Sequence, residues 1–270
     1  MKQENFTLQQ LMNSAAVKHR FEEILDTSAP AFISSILSIV RTNSKLQECS
    51  PISVLSAAGI AAALKLPINP SLGFAFIVPY KGQAQFQLGY KGLIQLAMRS
   101  GQYLTLNSGA VCEGQIKEID FIRGEIIRGE KISEEIVGYV AYMELLNGFK
   151  KSLYMSIDEL KNHAEKYSQS YAYDMRSNRK SSVWSTNFDA MAKKTVLKKL
   201  ISNFGIISID QKSADLATAL QADQAVITQE GFRYIDNEKG DEKIVPFSEV
   251  LDLPDEKTLT DDEEIQPPEE

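Results

Sequence analysis

The residues with the clearest chemical potential lie between positions 166 and 199, where cationic and aromatic side chains alternate. The cations are Lys166, Arg176, Arg179, Lys180, Lys193, Lys194, Lys198 and Lys199, and the aromatic residues are Tyr167, Tyr171, Tyr173 and Trp184. Cations can neutralise phosphates, and flat rings can stack on unpaired bases of any sequence, at about 1–3 kcal/mol per base. The alternative is a solvated lysine face over an aromatic core. The composition favours nucleic acid for the lysines, whereas we expect Trp184 and Phe188 to lie in the core.

A second basic group accompanies a predicted hairpin and the short helix that follows it. Tyr80 and Lys81 lie at the turn, Tyr90 and Lys91 open the helix, and Arg99 lies near its end. The N-terminal amides and dipole of such a helix favour a phosphate. Ordinary packing and solvation explain these residues equally well, so both interpretations stay open.

Several kinds of catalytic site are absent from the sequence. It contains no Gly-Lys dipeptide and therefore no Walker A phosphate loop, and it has no GxGxxG, HExxH or GxSxG motif. His19 and His163 have no Cys or His at metal-ligand spacing, and we expect both to be solvated. The isolated Cys49 and Cys112 are typical of small buried hydrophobic residues. We therefore expect no catalytic residues, no metal and no cofactor.

Charge is distributed unevenly along the 270 residues, whose net charge is −7. Residues 211–270 hold 17 acidic and 5 basic side chains, whereas residues 1–210 hold 19 acidic and 24 basic ones. This asymmetry suggests a nucleic-acid or membrane surface joined to an acidic tail. No apolar run approaches the ~18 residues that a membrane helix needs, and the N-terminus lacks the build of a secretory signal. We therefore expect a cytoplasmic protein without membrane association.

Periodicity and turn residues predict the elements that must position these groups. The first ~70 residues carry apolar positions at helical spacing. Strands at 74–78 and 84–88 enclose a turn at 79–83, a helix covers 90–100, and strands at 103–112, 119–122, 125–127 and 136–143 form a predicted antiparallel meander. Ser156 and Glu159 form a capping box for a helix at 157–167, and a polar stretch separates it from a helix at 184–203.

The predicted fold is α+β, with antiparallel hairpins and flanking helices that form a basic groove. We expect a DNA-binding, annealing and oligomerisation domain at 1–210, a small C-terminal region at 211–250, and a disordered acidic tail at 251–270. The tail is too poor in apolar groups to fold alone.

Residues 50–101 resemble the RecT family of phage single-strand annealing proteins, most distinctively in LPINPSLGFAFIVPYKGQAQFQLGYKGLIQLAMRSGQY. The similarity extends over roughly residues 30–205, through the helix that carries Lys193 and Lys194. It implies annealing of complementary strands without ATP, rings or helical filaments on DNA, and a phage or prophage origin in a bacterial host cell. It also implies partnership with a phage exonuclease and, through the C-terminal region, with host replication proteins.

The basic groups and the resemblance together select the expected DNA contacts. They are Tyr80, Lys81, Tyr90, Lys91, Arg99, Arg176, Arg179, Lys193, Lys194 and Lys198. We expect them to bind single-stranded DNA and the annealed duplex intermediate within a homo-oligomer. Two other functions stay open: a single-strand-binding protector that does not anneal, and a phage assembly or scaffolding protein.

Overall fold

The computed structural model describes residues 7–120, 122–205, 211–223, 226–228 and 231–233. Within them the chain forms two compact units. The first unit contains the residues up to 88 and those from 221 onward, and the second contains residues 89–220. The predicted division at 210 and 250 is a functional one and stays a prediction.

The described helices and strands confirm the α+β class and the helical N-terminal part. The helices are α1 (Leu8–Asn13), α2 (Ala15–Leu25), α3 (Ala29–Thr42), α4 (Ser44–Gln47), α5 (Pro51–Ala63), α6 (Tyr90–Arg99), α7 (Ile157–Tyr167), α8 (Gln169–Ser177), α9 (Val183–Thr186), α10 (Phe188–Phe204) and α11 (Gln211–Ala222). The strands are β1 (Ala75–Tyr80), β2 (Gln83–Leu88), β3 (Tyr103–Cys112), β4 (Ile116–Asp120), β5 (Glu125–Arg128), β6 (Ile136–Leu145), β7 (Lys150–Ser156), β8 (Val226–Thr228) and β9 (Gly231–Arg233).

In the first unit, α5 lies in the core against the β1–β2 hairpin. The residues at 57–62, most of them small, are buried. This part of α5 is therefore internal and does not offer a surface on which two protomers could pack. The Ser53 hydroxyl accepts a hydrogen bond from the Ala84 amide at 2.8 Å, which ties the helix to β2. The Ser50 amide donates to the Gly82 carbonyl at 3.0 Å and ties the start of the helix to the hairpin turn.

The hairpin turn is tighter than the sequence predicted. β1 continues through Pro79 and Tyr80, and Tyr80 pairs with Gln83. Only Lys81 and Gly82 connect the strands, with φ of 47° and 77°. A two-residue turn with positive φ at both positions matches the twist of the flanking strands. Tyr80 and Lys81 therefore lie at the tip.

The second unit is organised around an antiparallel sheet of order β3–β6–β7. The predicted meander is wrong, because β4 and β5 pair only with each other, as a hairpin inserted between β3 and β6. The two ten-residue strands β3 and β6 can pair along almost their whole length, which the shorter β4 cannot offer. Helix α10 packs on the sheet face that carries the buried Tyr139, Ala141 and Met143 of β6.

The helices that follow the sheet partly match the prediction. α7 is confirmed, with the Ser156–Glu159 capping box at its start. The predicted helix at 184–203 is two helices, because the backbone leaves the helical region at Asn187, whose side chain caps α10 through the Ala190 amide. The polar stretch between the two predicted helices contains α8, which begins where the Ser168 hydroxyl accepts a hydrogen bond from the Tyr171 amide.

Two further features bear on the predictions for the ends of the chain. The tail at 251–270 lies outside the described residues, as does most of 211–250. Among the described residues, one helical run, Ala15–Thr42, is long and apolar enough to cross a membrane on length and composition alone. A 3₁₀ turn interrupts it at Asp26–Ser28, where Asp26 has a φ of 50°, so the run is not one continuous α-helix.

Candidate nucleic-acid interface

Lysines from two helices act electrostatically on a histidine in the second unit. The positive charges of Lys166 of α7 and of Lys198 and Lys199 of α10 act on His163 of α7, and we call these four residues the α7–α10 cluster. The His163 ring lies 4.6 Å from the Tyr167 ring, centre to centre, and the Lys166 Nζ lies 5.1 Å from the centre of the same Tyr167 ring.

The pKa of His163 reflects both its burial and the positive charge of these lysines. Burial lowers the pKa of His163 to about 4, and the positive charges of Lys199, Lys198 and Lys166 contribute to this shift. The expectation of a solvated histidine is therefore wrong for His163, which is only partly exposed. His19, in contrast, is exposed as expected and lies 3.5 Å from Glu23. An anion beside Lys166, Lys198 and Lys199 would offset the repulsion between their charges.

The predicted lysines of α10 do not share one face. Successive residues of an α-helix differ by about 100° around the axis, so Lys194 and Lys198 lie on the same side and Lys193 does not. The Lys193 Nζ lies 2.8 Å from the Asp189 Oδ2, so the free protein already balances its charge. Asp189 also accepts a hydrogen bond from the Tyr139 hydroxyl at 3.2 Å, which anchors the start of α10 to β6.

A second cationic group follows α8. Arg176, Arg179 and Lys180 are exposed, and we call residues 176–180 the basic loop. The Arg179 guanidinium lies 5.8 Å from the centre of the Tyr173 ring. Because α7 and α8 pack against each other, the basic loop belongs to the same group of helices as the α7–α10 cluster.

The four aromatic residues of the 166–199 segment divide into two pairs. Tyr171 and Trp184 are 7% and 6% exposed and their rings lie 6.2 Å apart, so they are core residues, as expected for Trp184. Phe188 extends this contact at 5.5 Å from Trp184. Tyr167 and Tyr173 are 44% and 49% exposed. Of these four aromatic residues, only Tyr167 and Tyr173 are exposed enough to stack on a base.

The other predicted residues lie on α6 and on the hairpin. Lys91 is exposed at the first turn of α6, Arg99 is partly exposed at its last turn, and the Tyr90 hydroxyl lies 3.0 Å from the Ser108 hydroxyl of β3. Tyr80 and Lys81 belong to the first unit, where the Lys81 Nζ lies 5.4 Å from the centre of the Tyr80 ring. The assignment of all ten residues to DNA, and of a groove that joins them, stays a prediction.

Two residues near the predicted DNA contacts, His163 and Asp174, were not predicted as site residues from the sequence. His163 shares a helix face with Lys166 and Tyr167 at i, i+3 and i+4, a spacing that could have revealed the grouping. Asp174 is buried beneath the basic loop, and the serines at 181, 182 and 185 were its only signal.

Two other cations of the second unit, Lys131 and Lys150, have carboxylate partners. The Lys131 Nζ lies 2.6 Å from Glu134, and the Lys150 Nζ lies 3.0 Å from Glu144. Such surface pairs contribute little to stability, with a median of about 0–1 kcal/mol. Lys131 and Lys150 are therefore suitable control positions for charge removal.

Comparisons with known proteins cover most of the chain. The family model described as RecT family matches residues 30–242, which include the hairpin tip, α6, the α7–α10 cluster and the basic loop. The chain is 39% identical over 278 residues to the uncharacterized protein YqaK of Bacillus subtilis (strain 168), covering 97% of this chain and 92% of that protein. It is 26% identical over 216 residues to Protein RecT of Escherichia coli (strain K12), covering 73% and 76% of the two chains.

Proposed function

The chain belongs to the RecT family of single-strand annealing proteins of DNA recombination, and on that premise we propose that it pairs complementary DNA strands without ATP. The protein binds one single strand through its phosphates and presents the bases to a second strand. No covalent bond forms or breaks in this process, so the protein is not an enzyme and needs neither a nucleophile nor a cofactor.

The observation that carries this proposal is the positive charge of three lysines acting on the partly buried His163. Two complementary strands repel each other, and fixed positive charge lowers that repulsion. Contacts to phosphate position a strand without reading its sequence, so the base edges stay free for pairing. The exposed Tyr167 and Tyr173, each beside a cation, offer stacking surfaces for unpaired bases.

Oligomerisation follows from the small number of phosphates that one protomer can reach. Each phosphate contact to a single strand adds about 0.7 to the slope of log affinity against log salt. Many protomers side by side, in a ring or a helical filament, sum these contacts along the strand. The same proposal includes a phage or prophage-encoded protein in the bacterial cytoplasm that works with an exonuclease and with host replication proteins.

An annealing time course tests the proposal against its two alternatives. Complementary oligonucleotides are mixed without ATP, with and without the protein, and duplex formation is followed by fluorescence. We expect faster annealing with the protein. Binding without acceleration would indicate a protector, and the absence of DNA binding would indicate an assembly or scaffolding role.

A matched pair of variants tests where the DNA binds. The double variant Lys198→Ala/Lys199→Ala and the control Lys131→Ala/Lys150→Ala remove the same charge. We expect weaker binding and slower annealing for the first variant only. Equal losses in both would show that net charge matters and the α7–α10 cluster does not.

A further inference from the structure

Asp174 is a buried carboxylate that accepts its hydrogen bonds from neutral groups. It is 1% exposed, and it accepts four hydrogen bonds from serines of the following segment. The donors are the Ser181 amide (3.0 Å), the Ser181 hydroxyl (2.6 Å), the Ser182 amide (2.7 Å) and the Ser185 hydroxyl (2.7 Å). A buried charge is costly unless it is hydrogen-bonded. These bonds, above all the one from the Ser181 hydroxyl, hold the pKa of Asp174 well below its usual range although burial opposes this.

The main chain of the same residue holds the other end of the loop. The Asp174 carbonyl accepts hydrogen bonds from the amides of Asn178 and Arg179, the latter at 3.0 Å. Asn178 ends α8 in the left-handed conformation, with φ 51° and ψ 38°, which asparagine tolerates better than most residues. One residue therefore fixes both the start and the end of the turn at 178–182.

This turn displays the cations of the basic loop. Arg176, Arg179 and Lys180 are exposed within five residues of one another, so their charges repel. The Arg176 Nε donates to the Ala172 carbonyl at 3.2 Å, and Arg179 lies over the Tyr173 ring, so two of the three cations have a defined position.

We propose that Asp174 is a positioning residue that preorganises the basic loop to bind one nucleotide of a DNA single strand. Arg179 and Lys180 contact the phosphate, and Tyr173 stacks on the base. The inference rests on the proposed function and assigns a defined subsite to it. A loop already held in its binding conformation loses less conformational entropy when it binds.

A double-mutant cycle separates positioning from general stability. Single-strand affinity is measured over a salt series for the wild type, Asp174→Asn, Arg179→Ala/Lys180→Ala and the combined variant. We expect Asp174→Asn to weaken binding about 2- to 10-fold. We also expect it to shift the salt slope toward that of the loop variant, which loses up to about 1.4. In the combined variant, Asp174→Asn should add no further loss.

Two results would overturn the assignment. If Asp174→Asn left affinity unchanged, or weakened binding equally with and without the loop cations, Asp174 would not act through the loop. Ser14→Ala, which removes the N-cap of α2, provides a control for a general loss of stability. If Asp174→Asn fails to fold, Ser181→Ala removes the shortest bond to the same carboxylate and replaces it in the cycle.

The stacking half of the proposal is tested with an oligonucleotide that lacks bases. Tyr173→Ala should weaken binding to an ordinary single strand and leave binding to an abasic strand unchanged. Equal losses on both strands would remove the base contact from the proposal.

Amide hydrogen exchange in the free protein tests the positioning without any DNA. The amides of Ser181 and Ser182 should be protected in the wild type and exchange faster in Asp174→Asn. Unchanged exchange would refute the role of Asp174 in holding the loop. If the wild type showed this protection but did not bind single-stranded DNA, the proposed function would fail while the positioning role would stand.

Discussion

The titration of His163 offers a direct test of the charge concentrated between α7 and α10. Its pKa is about 4 in the folded protein, against 6.5 for an unperturbed histidine. Between these values the unfolded chain binds a proton that the folded protein does not. Stability should therefore be greatest above pH 6.5 and decrease as the pH falls toward 4.

The size of the effect follows from the same two values. At about 1.4 kcal/mol per pKa unit, their difference sets an upper limit of about 3.5 kcal/mol. Because His163 is only partly buried and salt screens the lysines, we expect about 1–2 kcal/mol. His163→Gln, which cannot become charged, should remove this part of the pH dependence.

Urea unfolding at several pH values from 8 to 4.5 measures the prediction. The relevant quantity is the difference between the wild type and His163→Gln, because the carboxylates titrate equally in both proteins. Asp174 does not interfere in this range, since its contribution to stability is lost only as the pH falls below the ordinary pKa of an aspartate, 3.8. Parallel curves for the two proteins would refute the argument that burial and the three lysines suppress the charge of His163.

DNA binding should raise the pKa of His163 back toward its ordinary value. Phosphates placed beside Lys166, Lys198 and Lys199 would offset their charge and raise the pKa of His163, so binding should take up a proton. Single-strand affinity should then rise more steeply from pH 7 to pH 5 in the wild type than in His163→Gln. The two imidazole resonances of the chain, assigned with the same variant, report the shift directly by NMR.

Three other predictions concern the remaining parts of the interface. Lys193→Ala should lower the salt slope of single-strand binding by less than the about 0.7 of a full phosphate contact, because Asp189 already neutralises Lys193; a loss of the full ~0.7 would contradict this. Tyr80→Ala should slow annealing more than it lowers affinity if the hairpin tip separates stacked bases, and proportional losses in the two assays would remove that role. Truncation after Leu251 removes nine acidic residues and one basic residue, so it should tighten DNA binding most at low salt if the tail competes with DNA; equal affinities at all salt concentrations would leave a passive or partner-docking tail.

Elements defined by local signals were predicted well from the sequence. The capping box of Ser156 and Glu159 starts α7 as predicted, and the predicted hairpin turn lies between β1 and β2, where Lys81 and Gly82 have positive φ. These signals depend on hydrogen bonds and backbone angles within a few residues. The pairing of β3 with β6 across an inserted hairpin depends on residues far apart in the chain, and the predicted meander missed it.

The sequence alone shows that cations and aromatic residues are concentrated between 166 and 199 and that the chain has the features of an annealing protein. Which of these residues lie near one another depends on the fold. Periodicity places a side chain on one side of its own helix, whereas the fold brings the charges of Lys198 and Lys199 of α10 within electrostatic range of His163 of α7. Burial then divides the tyrosines, because Tyr171 fills the core with Trp184 while Tyr173 stays exposed beside Arg179. Both outcomes depend on contacts between distant segments, which no local pattern encodes.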